Sequence, residues 1–156
     1  MTSAICRGMV RQMAEDMMPT TQRKPIDPVP GFAEQAAVFT SFRAIEQGIP
    51  AAWARSLETQ GLTRDDIRRI IPDRTLDRRI AKGDMLKIEE ADGLARLLRV
   101  VKAARDLFEN DENADMFLRN PNPALGERIP IHMAQTDIGA REVETIIGRL
   151  AYGVYS

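Results

Sequence analysis

The sequence predicts an all-α protein, and three observations carry that expectation. Apolar residues recur at spacings of three and four from Phe32 onward, no stretch sustains the alternation with β-branched residues that a strand needs, and Gly48, Gly61, Pro72 and Gly83 punctuate the periodic runs. The elements follow in order. Residues 1–31 carry Met9, Met13, Met17 and Met18, then Pro19, Pro25, Pro28 and Pro30, with little periodicity after Val10, and are expected to be a mostly disordered leader. Phe32, Ala36, Phe39, Phe42 and Ile45 or Ile49 keep one helical face, which Gly48 and Pro50 end. Pro50 suits the first position of the next helix, where its missing N–H costs nothing; that helix carries Trp53, Ala54 and Leu57 inward and stops at Gly61.

Thr63 and Asp66 have the spacing of a capping box, so a short helix is expected from Arg64 to Ile71, broken by Pro72. A further helix runs from about Arg74 to Lys82 and ends at Gly83. The longest spans about Lys87 to Phe108. Ile88, Ala91, Leu94, Ala95, Leu98, Val101, Ala104 and Phe108 keep its face, and Leu97, Val100 and Leu107 widen it, which predicts cover on two sides. Asp111 to Arg119 is another short helix and Asn120 to Arg128 a loop. Thr136 caps a final helix to about Tyr152, with Ile138, Val143, Ile146, Ile147 and Leu150 on its packed side.

Length and charge narrow the possible functions. With 156 residues the chain can bury one compact core or two small domains sharing one. Lys and Arg number 22 against 23 Asp and Glu, so any attraction to nucleic acid or a membrane must come from a local patch. A single cysteine, Cys6, excludes an internal disulfide, and with the single histidine, His132, it excludes a zinc cluster. No apolar run approaches the roughly 20 residues that span a bilayer, so a cytoplasmic protein without membrane contact is expected. Asp111, Glu112 and Asp115 lack the glycine and the twelfth-position carboxylate of a calcium loop and read as a helix start. The glycines occur singly, without a phosphate-cradling loop, and no nucleophile has a base at plausible spacing. The expectation is a binder, not an enzyme, with no catalytic residue, metal, cofactor or small-molecule substrate.

Charge is unevenly spread. From Thr63 to Lys82 seven cations face four anions, whereas from Asp84 to Met116 five cations face nine anions. At 100° per residue Leu76 and Ile80 share one side of their helix, while Arg74, Thr75, Arg78 and Lys82 cluster on the other. Two short helices joined by a tight turn, the second presenting Arg and Thr, have the helix-turn-helix layout, in which Arg reads guanine edges and Thr and Lys contact phosphate. The candidate DNA-binding residues are Arg74, Thr75, Arg78, Arg79 and Lys82. The alternative is a surface helix solvated by its own charges. So small a surplus predicts weak binding by one module and therefore a homodimer reading two half-sites. Leu97, Val100 and Leu107 either furnish its interface or join the core.

At the other end, Gly153 is expected to break the last helix and leave Val154, Tyr155 and Ser156 as a projecting tip, with Tyr152 beside it as a possible interface anchor. The alternative has Tyr152 packed on the domain and Tyr155 fraying in solvent.

Four segments, Arg74-Thr75-Leu76-Asp77-Arg78-Arg79-Ile80-Ala81-Lys82-Gly83, Pro121-Asn122-Pro123-Ala124-Leu125-Gly126, Gly139-Ala140-Arg141 and the ending Tyr152-Gly153-Val154-Tyr155-Ser156, resemble the Xre/MbcA/ParS-type antitoxins, which pair with RES-domain toxins in type II toxin-antitoxin systems. The resemblance spans about Phe32 to Ser156. It implies an Xre-like helix-turn-helix half, 32–83, that binds the operon's own operator DNA as a repressor. It also implies a small helical toxin-binding half, 84–156, joined to the first by the long central helix. Toxins of this family consume NAD, and their antitoxins obstruct the active-site entrance. The implied toxin-binding residues are Arg149, Tyr152, Gly153, Val154, Tyr155 and Ser156. The other reading is a stand-alone helix-turn-helix regulator whose carboxyl-terminal half only dimerises. Three positions depart from the family pattern: Gly93 stands where Arg is common, Glu127 replaces a second Gly, and His132 an acidic residue.

Overall fold

The computed structural model describes residues 38, 39 and 41–153, and within them every regular element is helical; the expected leader and the tip Val154 to Ser156 lie outside the described residues. The elements are α1 (Phe42–Gln47), α2 (Ala52–Ser56) running into a 3-10 turn (Leu57–Gln60), α3 (Arg64–Ile70), α4 (Asp73–Lys82), α5 (Ile88–Phe108), α6 (Asp111–Arg119), a second 3-10 turn (Pro123–Leu125), α7 (Pro130–Met133) and α8 (Asp137–Ala151).

α5 is the shared spine. It packs against α1 and α3 from the amino-terminal half and against α6, α7 and α8 from the carboxyl-terminal half. Its wide apolar stripe is used on both sides: Leu94, Leu97, Val100, Val101 and Ala104 are all buried. Leu97 and Val100 are therefore core and not a dimer surface, while Leu107 is half-buried against the same cluster. Gly93 lies where α5 meets α3, and a Cβ there would stand 3.0 Å from Ile70 Cγ2 and 3.2 Å from its Cδ1. A long side chain at this position would push the two helices apart.

Several expectations change. Ser41 is extended (φ -96, ψ 114), so the run through Phe39 and Phe42 is not one continuous helix. Phe39 is fully buried, whereas Phe42 is 78% exposed. Pro50 is not the first helical residue, because its segment is engaged elsewhere. The Ala51 N–H donates to the Asp84 carbonyl (3.0 Å), the Leu86 N–H donates to that of Ile49 (2.8 Å), and Pro50 and Met85 form an isolated bridge. The helix starts at Ala52 instead. Between the loop that ends at Arg128 and the Thr136 cap the chain forms the single turn α7, begun by Pro130 at its first position. Ile138 does not pack; it is 81% exposed on the first turn of α8. Glu127 follows Gly126 into the left-handed region, with φ of 60 and 65. It thus occupies a conformation suited to the glycine it replaces.

The entry to α8 is tight. The side chain of Thr136 accepts from the Gly139 N–H (3.1 Å), and a Cβ on Gly139 would lie 2.1 Å from the Met133 carbonyl oxygen. That obstacle is backbone, so it cannot rotate away. Gly139→Ala is expected to destabilise the fold by about 1–3 kcal/mol or more through overpacking, whereas Gly148→Ala, with nothing within 4 Å of its Cβ, costs nothing comparable. Urea unfolding followed by circular dichroism compares the two.

Candidate functional site

The basic helix pair is assembled from local signals. Thr63 caps α3: its N–H donates to the Asp66 carboxylate (2.8 Å) and its Oγ1 accepts from the Asp66 N–H (3.3 Å), which completes the capping box. Ile71 is extended (φ -132, ψ 112) and Pro72 has φ -54, ψ 136, so two residues turn the chain into α4. Gly83 ends α4 at φ 68.

On α4, Leu76 is buried and Ile80 half-buried against the core. Arg74, Arg78 and Lys82 are exposed and make no ion pair among the described residues, and Thr75 sits half-buried between them. Asp77, the acidic residue amid these cations, is paired with Arg55 of α2, so its charge is offset from within the fold. Arg79 does not belong to this face. It follows Leu76 by three residues, about 60° around the helix, and is only 8% exposed. Its guanidinium is paired with Glu90, whose carboxylate also accepts the Lys87 N–H at the start of α5. Arg79 therefore fastens α4 to the spine. On α3, Arg64 lies 3.4 Å from Asp73 and Arg68 pairs with Asp65 (2.6 Å), while Arg69 is exposed with no ion pair among the described residues.

The helix pair is also fastened to the carboxyl-terminal half. Arg119 of α6 donates from Nη1 to the buried Asp66 carboxylate (2.8 Å) and from Nη2 to the Gly61 carbonyl (3.0 Å). Arg105 of α5 donates to the neighbouring Gln60 carbonyl (3.2 Å). A buried carboxylate is tolerable when a cation and hydrogen-bond donors surround it, and Asp66 has both.

At the far end of α8, Arg149 is exposed, Tyr152 is 87% exposed and Gly153 turns the chain at φ 65. Tyr152 thus stands clear of the domain; Val154, Tyr155 and Ser156 lie outside the described residues. Ile138, Thr145, Arg149 and Tyr152 fall within about 60° of one another around the helix, and all four are exposed. Ile138, expected on the packed side, and Thr145 are the members of this ridge that sequence reasoning missed. At 100° per residue Ile138 lies about 180° from buried Ile147, a signal that spacing alone contained.

The cluster Asp111, Glu112 and Asp115 belongs to a helix start. Asn110 Oδ1 accepts from the Glu112 and Asn113 N–H groups (2.8 and 3.2 Å), and Asp111 meets Arg105 at 3.1 Å. Among the described residues no group of three or more His, Cys, Asp or Glu is placed to hold a metal, and no helix is long and apolar enough to cross a membrane.

Comparison with known proteins places these features in context. Residues 103–153 match the Antitoxin Xre/MbcA/ParS C-terminal toxin-binding domain. The chain is 41% identical over 87 residues to the Antitoxin Xre of Yersinia enterocolitica, which covers 55% of this chain and 59% of that protein. It is 31% identical over 121 residues to the Antitoxin Xre of Pseudomonas putida (77% of this chain, 76% of that protein). The Antitoxin Xre of Photorhabdus laumondii is 30% identical over 116 residues, 72% of this chain and 78% of that protein.

The Arg119 clamp makes its own prediction. Arg119→Met leaves Asp66 buried without its cation and is expected to cost about 1–3 kcal/mol. A double-mutant cycle with Asp66→Asn, measured by urea unfolding, should show clear coupling between the two positions.

Proposed function

The chain belongs to the Xre-type antitoxins, and from that premise we propose that it neutralises a cognate RES-domain toxin with its carboxyl-terminal half and binds operator DNA with α3 and α4 to repress its own operon. The functional division falls near Gly83, with 32–83 as the operator half and 84–156 as the toxin half. Binding alone accomplishes both tasks, with no cofactor and no small-molecule substrate.

One observation carries the toxin reading: Tyr152 is 87% exposed at the end of α8, inside the segment 103–153 that matches a toxin-binding domain. An exposed tyrosine offers a large contact area with few rotors to freeze, which favours it as an interface anchor. With Arg149 and Gly153 it leads in sequence to the tip residues Val154, Tyr155 and Ser156. Inserted at the entrance of the toxin's active site, such a tip inhibits by occlusion, without any chemistry of its own.

The operator reading is supported by three cations, Arg74, Arg78 and Lys82, that make no ion pair among the described residues and lie on the outward side of α4, with Thr75 among them. With few cations per module, a homodimer spanning two half-sites supplies the affinity. Leu97 and Val100 are buried in the core, so that dimer uses other residues.

Deleting Val154 to Ser156, or changing Tyr152 to Ala, should leave the helical circular dichroism intact yet abolish protection when toxin and antitoxin are co-expressed. Full protection by both variants removes the occlusion mechanism. Arg78→Glu should abolish the shift of upstream DNA in a gel while protection against the toxin persists; the opposite pattern would mean that the two faces are assigned backwards.

A further inference from the structure

A cavity of about 490 Å³ opens where the start of α3 faces α6 and the entry to α7. Arg64, Arg69, Arg119 and His132 contribute to its wall, with Ile129 and Ile131 as its apolar part. Both halves of the chain build it. Its anions are already engaged: Asp66 is held by Arg119 and Asp65 by Arg68. Arg69 is exposed and has no ion pair among the described residues, and His132, also exposed, brings a ring N–H that is a donor in either protonation state. The cleft wall therefore offers one guanidinium with no ion pair among the described residues and a second donor beside the apolar part.

Its position matters as much as its charge. Arg64, in the cleft wall, lies 3.4 Å from Asp73, the first residue of α4 and the neighbour of Arg74. Through this contact the cleft wall reaches the first turn of α4, the helix that carries Arg74 and Arg78. When the second helix of such a pair enters the major groove, the helix before it crosses the sugar-phosphate backbone, and α3 is that helix.

We propose that this cleft seats a backbone phosphate of the operator, with Arg69 as its ion partner and His132 as a donor supplied by the carboxyl-terminal half. The half that holds the toxin then also takes part in gripping DNA, through a contact that reads no sequence. The inference rests on the operator-binding reading above and adds a residue from each half to it.

Fluorescence anisotropy of the full chain with an operator duplex and an unrelated duplex, from 50 to 200 mM salt, tests it. Arg69→Gln is expected to weaken both duplexes by the same factor, about tenfold at low salt, and to reduce the slope of log K against log salt by about 1. Arg69→Lys keeps the charge and restores the slope. His132→Ala weakens both duplexes by a smaller common factor. If Arg69→Gln leaves affinity and slope unchanged while Arg78→Glu abolishes binding, the phosphate seat is overturned and the operator reading stands. If the unaltered chain binds neither duplex, both fall. If Arg69→Gln spares DNA but abolishes protection against the toxin, the cleft is a toxin contact and the proposal is overturned. Arg69 is exposed, so its replacement leaves the fold in place, which circular dichroism verifies.

Discussion

Two carboxylates, each at the third position of a helix, hold the molecule in its arrangement. Asp66 closes the cap of α3 and at the same time receives Arg119 from α6; Glu90 accepts the N–H that precedes α5 and at the same time receives Arg79 from α4. A cap is a local interaction, formed as soon as its helix forms. When the cap residue also binds a guanidinium from a distant helix, local order and tertiary orientation become one event. These two pairs tie α3 to the carboxyl-terminal half and α4 to the spine. Because both carboxylates are largely shielded from water, loss of either arginine would leave a desolvated charge behind.

The same clamps shape what the surface can present. Arg79 is withdrawn from the cations of α4 because it fastens that helix to the spine, and Asp77 is neutralised by Arg55, so Arg74, Arg78 and Lys82 stay exposed with no ion pair among the described residues. The exposed Arg55–Asp77 pair adds little to stability, unlike the shielded Arg79–Glu90 pair. Their consequence is electrostatic selection: they decide which charges stay available to a partner. The net charge of the chain, -1, conceals this, since a partner meets the local face and not the sum.

The proposed division of labour at Gly83 is not a division of the core. The buried cluster runs without interruption from Phe39 through the α5 spine to Ile147, and Arg105 and Arg119 tie the loop before α3 to α5 and α6. At the base of the segment α2 to α4, Ile49 and Ala51 hydrogen-bond to Leu86 and Asp84, so the chain enters and leaves that segment at one point. Side chains that belong to the toxin-binding match, Arg119 among them, therefore help to set the stance of the basic helices.

Sequence alone determined what is local or periodic. The all-α class, the capping box of Thr63 and Asp66, the stop at Gly83, the Thr136 cap and the two-sided burial of α5 were all legible, because each depends on residues within one or two turns. So was the outward cluster Arg74, Arg78 and Lys82, which helical angle settles. Tertiary structure decided the rest. Whether Phe42 and Ile138 are buried, whether Pro50 opens a helix, whether Arg79 faces solvent, and whether a cleft forms between α3 and α7 depend on what other elements bring, from 11 residues away for Arg79 to 35 for Pro50. Apolar spacing reports which residues share a side of a helix, but only packing determines whether anything covers that side.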